Sequence, residues 1–198
     1  MTVKYLVCSP GRSGSIFVAL TISLSLGVKT VMSNQEPLPD TSQPLVYHSH
    51  DAQLQLPDHD IQVVHVTRRN LFGEITSAII CEQYNEWFNY SGQGLPFVAD
   101  LNMFEEKYNW HKYWHHAHQS LTQYQNRHYL TFEDFIGRSE VICSELNIPI
   151  VKNVRTQKSP YSSSNILNIH ELLQKFLQLE SQAAPEIVAE HWKDRQSK

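Results

Sequence analysis

The chain has 198 residues, of which 41% are hydrophobic and 18% charged, which is enough apolar material for a core and too little charge for a disordered chain. Its 16 Lys and Arg against 20 Asp and Glu leave a formal charge of −4, which disfavours a general nucleic-acid binder. Cys8, Cys81 and Cys143 are widely separated and lack CxxC spacing, so they argue against a disulfide framework or a zinc cluster and fit a reducing compartment.

No run of residues reaches the ~18 apolar positions a membrane span needs. The first apolar run stops at Ser9-Pro10-Gly11, short of a secretory h-region, so the expectation is a soluble cytoplasmic protein without a cleaved leader. Residues 3–8 form a short apolar run ending in turn residues, as in a buried parallel strand. Residues 15–26 carry Ile16, Phe17, Leu20 and Leu24 at helical spacing, and Gly27 marks a stop. A second strand is expected over 28–32 and a third over 45–48, separated by a loop with Pro37, Pro39 and Pro44. Residues 61–67 are β-branched and read as the best strand. Helices are expected over 70–89, with Ile75, Ile79, Ile80 and Tyr84 on one face, and over 102–124. A strand at 128–132 follows, then a helix at 133–146, a polar loop at 159–164 and helical segments at 166–179 and 185–192.

Strands alternating with helices imply a three-layer α/β fold with a central parallel sheet of about four to five strands. We expect one domain spanning 1–198, with C-terminal helices at about 165–195 packed on it. In such sheets ligands bind beyond the carboxyl ends of the strands, so the residues after each strand carry the functional reading.

After the first strand comes Ser9-Pro10-Gly11-Arg12-Ser13-Gly14-Ser15, leading into a helix. A strand, a glycine-containing turn and a helix N-terminus can cradle a phosphate, because backbone N–H groups and the helix dipole favour an anion. The nucleotide-kinase pattern GxxxxGK[ST] is not met, since Gly11 and Gly14 are three apart and no Lys precedes Ser15. An ordinary strand-to-helix turn is the bland alternative. The strand at 61–67 ends in Arg68-Arg69, and Ser77 lies eight residues beyond Arg69. An Arg at a strand's end offers a planar fork for a phosphate, and a solvated cap is the competing reading.

The segment Pro10-Gly11-Arg12-Ser13-Gly14-Ser15 resembles the P-x-[KR]-[ST]-G-[ST] loop of the sulfotransferase superfamily. The resemblance implies that this P-loop-like turn holds the 5′-phosphosulfate of 3′-phosphoadenosine 5′-phosphosulfate (PAPS), with Arg12 at the bridging oxygen. It implies that Arg69 and Ser77 bind the 3′-phosphate; Arg68, with Thr76 eight residues on, is the weaker choice, and Leu71 stands where relatives often have Pro. Many members place a Lys-x-His segment after a strand. Here His48-Ser49-His50 corresponds, with His50 as the catalytic base and His48 replacing the Lys. Other branches use a carboxylate, for which Asp51 or Glu74 could substitute. Residues 128–135 resemble the family's strand ending in Y-E-D-L, so the likeness runs from Val3 to Ile148. The family's late R-K-G loop has no clean counterpart; Arg155 and Lys158 stand in the right region.

The implied activity is transfer of the sulfuryl group from PAPS to a hydroxyl or amine, releasing 3′,5′-ADP, with no metal. The acceptor, whether a small molecule, carbohydrate or peptide, is not legible, and neither nucleic acid nor membrane is an expected partner. A P-loop small-molecule kinase and a non-catalytic nucleotide-binding module are the alternatives. His111, His115, His116 and His118 share one helix, with His111 and His115 at the i, i+4 spacing of zinc ligands. Without HExxH or a third ligand, a solvated or substrate-lining face is the preferred reading. Trp110, Trp114, Leu121, Tyr113 and Tyr124 read as core, with Trp110 or Tyr113 as possible acceptor-pocket residues.

Overall fold

The computed structural model describes residues 4–32, 44–51, 60–86, 94–119, 124–154 and 161–182. Five strands, β1 (Lys4–Cys8), β2 (Lys29–Met32), β3 (Leu45–Ser49), β4 (Gln62–Thr67) and β5 (Arg127–Thr131), form one sheet in the order β2-β3-β1-β4-β5. Every pairing is parallel. The helices are α1 (Ser15–Leu26), α2 (Leu71–Tyr84), α3 (Leu101–Gln119), α4 (Phe132–Phe135), α5 (Ser139–Glu145) and α6 (Ile169–Gln182). The fold class expected from the alternation of strands and helices is the one found.

The chain divides into two compact units, one drawn from Met1–Glu74 and Trp110–Lys158, the other from Ile75–Asn109 and Ser159–Lys198. The first contains the sheet. Successive side chains of a strand point to opposite faces, so a parallel strand covered on both sides must be apolar throughout. β1 shows this directly. Tyr5 and Val7 pack with Phe17, Val18 and Ile22 of α1 and Ile142 of α5, while Leu6 and Cys8 pack with Tyr47, Val63, Tyr124 and Trp114 of α3. The sheet is therefore the middle of three layers. β1 continues through α1 towards the β2 side and β4 continues towards β5, so the chain leaves these adjacent strands in opposite directions. That divergence is the switch point at which doubly wound sheets bind ligands.

In the second unit, Phe97 N–H donates to Asn165 O at 2.9 Å and Leu167 N–H to Phe97 O at 2.8 Å. Asn168 clasps both backbone groups of Ala99, at 2.8 and 3.0 Å. Tyr84 packs against Phe97 and Tyr161, with ring centroids 5.5 and 4.5 Å apart. Asp100 caps the start of α3 by accepting from Asn102 N–H at 2.6 Å.

Several boundaries differ from those expected, for local reasons. The second and fourth predicted strands begin one residue later than expected, the fifth shifts by one residue at both ends, and β3 extends to Ser49, while residue 3 of the first lies outside the described residues. The helix expected to reach residue 89 ends at Tyr84. Asn85 adopts φ 51°, Asn85 N–H bonds to Glu82 O and Glu86 N–H to Cys81 O, a Schellman closure made by Asn instead of Gly. The helix expected over 133–146 is two helices, because Gly137 turns the chain left-handed at φ 68°. Of the helix expected over 102–124, α3 covers residues up to Gln119, residues 120–123 lie outside the described residues, and Tyr124 is a buried core residue that is not helical. The helix expected from 166 begins at Ile169, and Ile166 instead bridges Phe97. The segment at 185–192 lies outside the described residues, as does most of the loop expected at 33–44.

Candidate functional site

The turn between β1 and α1 lies at the carboxyl edge of the sheet's central strand. Gly11, Arg12 and Gly14 have φ of 99°, 58° and 79°, and Ser13 between them does not share that sign. The change of backbone hand from Arg12 to Ser13 and again to Gly14 is the kind of local geometry that can turn successive N–H groups towards one point. The first bond into α1 is Val18 N–H to Gly14 O, so the amides of Ser15, Ile16 and Phe17 have no acceptor within the helix. Gly14 is required twice over. Its φ is left-handed, and an added Cβ would stand 2.7 Å from Phe132 Cδ2. Pro10, Gly11, Ser13 and Ser15 are buried, whereas Arg12 and Gly14 are partly exposed.

Beneath the turn runs a hydrogen-bonded chain of side chains. Ser9 Oγ accepts from Gly11 N–H and donates to Ser15 Oγ at 2.8 Å. Ser15 Oγ lies 2.8 Å from His48 Nε2. Having accepted from Ser9, the Ser15 hydroxyl has one proton to give, so His48 Nε2 accepts it. His48 is fully enclosed, and burial, then the proximity of His50, pushes its pKa down to about 3. It is a neutral acceptor that fixes Ser15. Its lone pair is already used.

His50, just past β3, is oriented differently. Its Nδ1 lies 2.9 Å from Ser9 O and 3.2 Å from Ser9 Oγ. A carbonyl only accepts, so Nδ1 carries the proton in the neutral ring and Nε2 bears the lone pair. Burial pushes the His50 pKa down; the bond to Ser9 opposes this, and the charges of Arg12 and His111 reinforce it. Trp114 on α3 donates its indole N–H to His50 O at 3.2 Å. His48 and His50 meet edge to face with centroids 4.7 Å apart.

At the end of β4 the two arginines are already engaged. Arg69 Nη2 reaches both oxygens of Asp134 at 2.5 and 2.6 Å, and its backbone N–H bonds to Glu133. Arg68 lies over the Phe132 ring at 4.8 Å, with its Nε 3.8 Å from Glu133. Since Phe132 abuts Gly14, Arg68 is linked to the turn through that ring. Ser77 is a half-buried residue of α2. Asp51 is exposed. Arg155 and Lys158 lie outside the described residues.

Two groupings were not legible in the sequence as such. Glu133 and Asp134 receive the arginine pair, although the sequence shows them only as residues after a strand. Glu74 is fully buried, with Oε2 3.5 Å from His111 Nδ1 and 3.9 Å from His115 Nε2. This corrects the solvated reading of that histidine face at His111 and His115, which are 1% and 6% exposed; His116 is exposed as expected. Enclosure also removes Glu74 as a base that meets an acceptor directly. Trp114 and Tyr124 are core residues as expected, whereas Trp110 and Tyr113 are exposed, at 42% and 44%, which corrects the core reading for these two. The i, i+4 spacing with Trp114 between was the signal for the buried face; its carboxylate partner gave none. Among the described residues no group of three or more His, Cys, Asp or Glu is arranged to hold a metal ion, and no helix is long and apolar enough to cross a membrane.

Comparison of the chain with protein-family models, with curated proteins and with solved structures finds no match.

Proposed function

We propose that the chain is a PAPS-dependent sulfotransferase, acting in the cytoplasm on a hydroxyl or amine acceptor. The observation that carries this reading is the Ser13 hydroxyl, which is fully buried within the turn and has no hydrogen-bond partner among the described residues. A buried hydroxyl is rarely left unsatisfied, and this one sits among backbone amides suited to an anion. An oxyanion at the turn would take both.

Each residue then has a task. The turn and the α1 N-terminus bind the 5′-phosphosulfate, which supplies the electrophilic sulfur. Arg12, within the turn, stabilises charge developing on the bridging oxygen, a stabilisation worth more in the transition state than in the bound ground state. His50 accepts the acceptor's proton at Nε2, since Nδ1 is held by Ser9. Arg69 and Ser77 bind the 3′-phosphate, which requires Arg69 to exchange its exposed Asp134 partner for the ligand. Arg155 and Lys158 complete the nucleotide contacts in this reading.

A P-loop kinase would rely on a loop Lys beside the phosphates. The turn has Arg12-Ser13-Gly14 there instead. The test is thermal stabilisation. 3′,5′-ADP should raise the melting temperature and ATP with Mg²⁺ should not; stabilisation by ATP alone would transfer the assignment to the kinase class. Binding of 3′,5′-ADP without turnover across an acceptor screen with labelled PAPS would leave a nucleotide-binding module.

A further inference from the structure

We propose that the two buried serine hydroxyls at the end of the turn have different tasks: Ser13 Oγ donates to the bound anion, whereas Ser15 Oγ donates to His48 beneath the turn and makes Ser15 a positioning residue. The proposal rests on the reading of the turn as an anion seat. It takes the Ser15 side chain out of the ligand contacts and leaves its backbone amide among them.

A hydroxyl has one proton to give, so its role follows from its partners. Ser9 Oγ accepts from Gly11 N–H at 3.2 Å and donates to Ser15 Oγ at 2.8 Å. Ser15 Oγ has then accepted, and its own proton goes to His48 Nε2, also 2.8 Å away. Both separations are ordinary lengths for strong bonds from a hydroxyl. Ser9, Ser15 and His48 are all buried. Turning the Ser15 proton towards a ligand would orphan the His48 nitrogen, and a buried polar atom left unsatisfied is costly.

The acceptor comes from the sheet, which holds it in place. His48 stands opposite Val7 in the β1–β3 register, and Ser9 N–H continues that ladder to Ser49 O at 3.2 Å. The sheet thereby fixes both neighbours of the Ser15 hydroxyl, and through it the first residue of α1. Gly11 N–H is spent in the same frame, on Ser9 Oγ.

Ser13 is as deeply buried, yet its Oγ has no hydrogen-bond partner among the described residues. It lies between Arg12 and Gly14, whose φ angles are 58° and 79°. The amides of Ser15, Ile16 and Phe17 follow at once, without acceptors in α1. An anion seated there takes its side-chain hydroxyl from Ser13 and its helix amides from a frame that Ser9, Ser15 and His48 hold rigid.

Two measurements test this. The first is the ring ¹⁵N spectrum of His48 in the free protein at neutral pH. His48 should be the Nδ1–H tautomer with a hydrogen-bonded Nε2. Ser15→Ala should shift the Nε2 signal downfield, and Ser13→Ala should leave it in place. A protonated Nε2 in the wild type would overturn the proposal, and so would an unmoved signal in folded Ser15→Ala. The second is calorimetry with 3′,5′-ADP, whose 5′-phosphate would occupy the turn. Ser13→Ala should weaken binding by about tenfold or more, as for a lost hydrogen bond to a charged group, and Ser15→Ala far less. Equal losses, or the reverse order, would overturn the proposal. Should Ser15→Ala not fold, the wild-type tautomer and the Ser13→Ala titration decide, and a protonated Nε2 or an unchanged affinity refutes it. A wild type that binds no 3′,5′-ADP removes the transferase reading, and inorganic sulfate then replaces the nucleotide as the probe of the turn. Only a failure to bind sulfate as well would take this proposal with it.

Discussion

His48 Nε2 lies 2.8 Å from Ser15 Oγ, and this bond ties the third strand to the first residue of α1. Its consequence is a pH dependence of stability. In the unfolded chain His48 titrates near 6.5, and in the folded chain it is held at about 3. Between those values the unfolded state carries a proton that the folded state refuses. The stability this histidine supports is therefore complete above pH 6.5 and drains away as the pH falls towards about 3. The slope should approach about 1.4 kcal/mol per pH unit, with His50, also lowered, adding in the same direction. Urea denaturation across this range measures it. His48→Gln keeps an acceptor for Ser15 and should make the slope shallower by about one proton; an unchanged slope would show that His48 does not titrate this way.

Gly14→Ala should destabilise the protein for two separable reasons. The left-handed backbone costs an L-residue roughly 1–2 kcal/mol, and the new methyl meets Phe132 at 2.7 Å. Adding Phe132→Ala should relieve the second cost and leave the first. A double-mutant cycle with no coupling would mean that the Phe132 ring moves freely out of the way.

The parallel sheet was legible because every strand buried on both faces must be apolar along its length, as Leu6, Val7 and Cys8 are. The turn was legible because its glycines and serines are adjacent in sequence. The helix ends at Tyr84 and Glu145 were harder, since Asn85 and Asn147 take left-handed positions usually marked by Gly. Least legible were the long-range pairings. Nothing in the spacing of residues joins Arg69 to Asp134, 65 positions apart, or Glu74 to the His111 face. Such partners are brought together by the order of strands, which local periodicity does not encode.

The Arg69–Asp134 pair supports a prediction that the sequence alone did not. Asp134 competes with any 3′-phosphate for the same guanidinium. On the proposed function, Arg69→Ala should weaken 3′,5′-ADP binding by on the order of tenfold or more, as for a lost charge-assisted contact. Adenosine 5′-phosphosulfate, lacking the 3′-phosphate, should be affected far less. Asp134→Asn should act in reverse and tighten 3′,5′-ADP by releasing the arginine. Calorimetry on the three proteins distinguishes the cases. Equal losses for both ligands in Arg69→Ala would make that residue a structural partner of Asp134, and Arg68, over Phe132 beside the turn, would become the arginine to test.

His50→Ala should remove most sulfuryl transfer while leaving 3′,5′-ADP affinity near wild type, because its Nε2 is the proton acceptor and the nucleotide is held by other groups. General-base assistance contributes ~10²–10⁴-fold, and a loss of that size is expected. The pH profile follows from the ring's surroundings. Only the neutral imidazole accepts a proton, so the rate falls as the pH drops through the His50 midpoint. Burial, Arg12 and His111 place that midpoint below 6.5, so activity should persist into mildly acidic solution before it declines. His48→Gln should cost less, since its Nε2 is already committed to Ser15. Steady-state rates with a verified acceptor, taken across pH on all three proteins, make the comparison. Near-full activity in His50→Ala would exclude this histidine as the base, and a greater loss in His48→Gln would move the catalytic role to the buried ring.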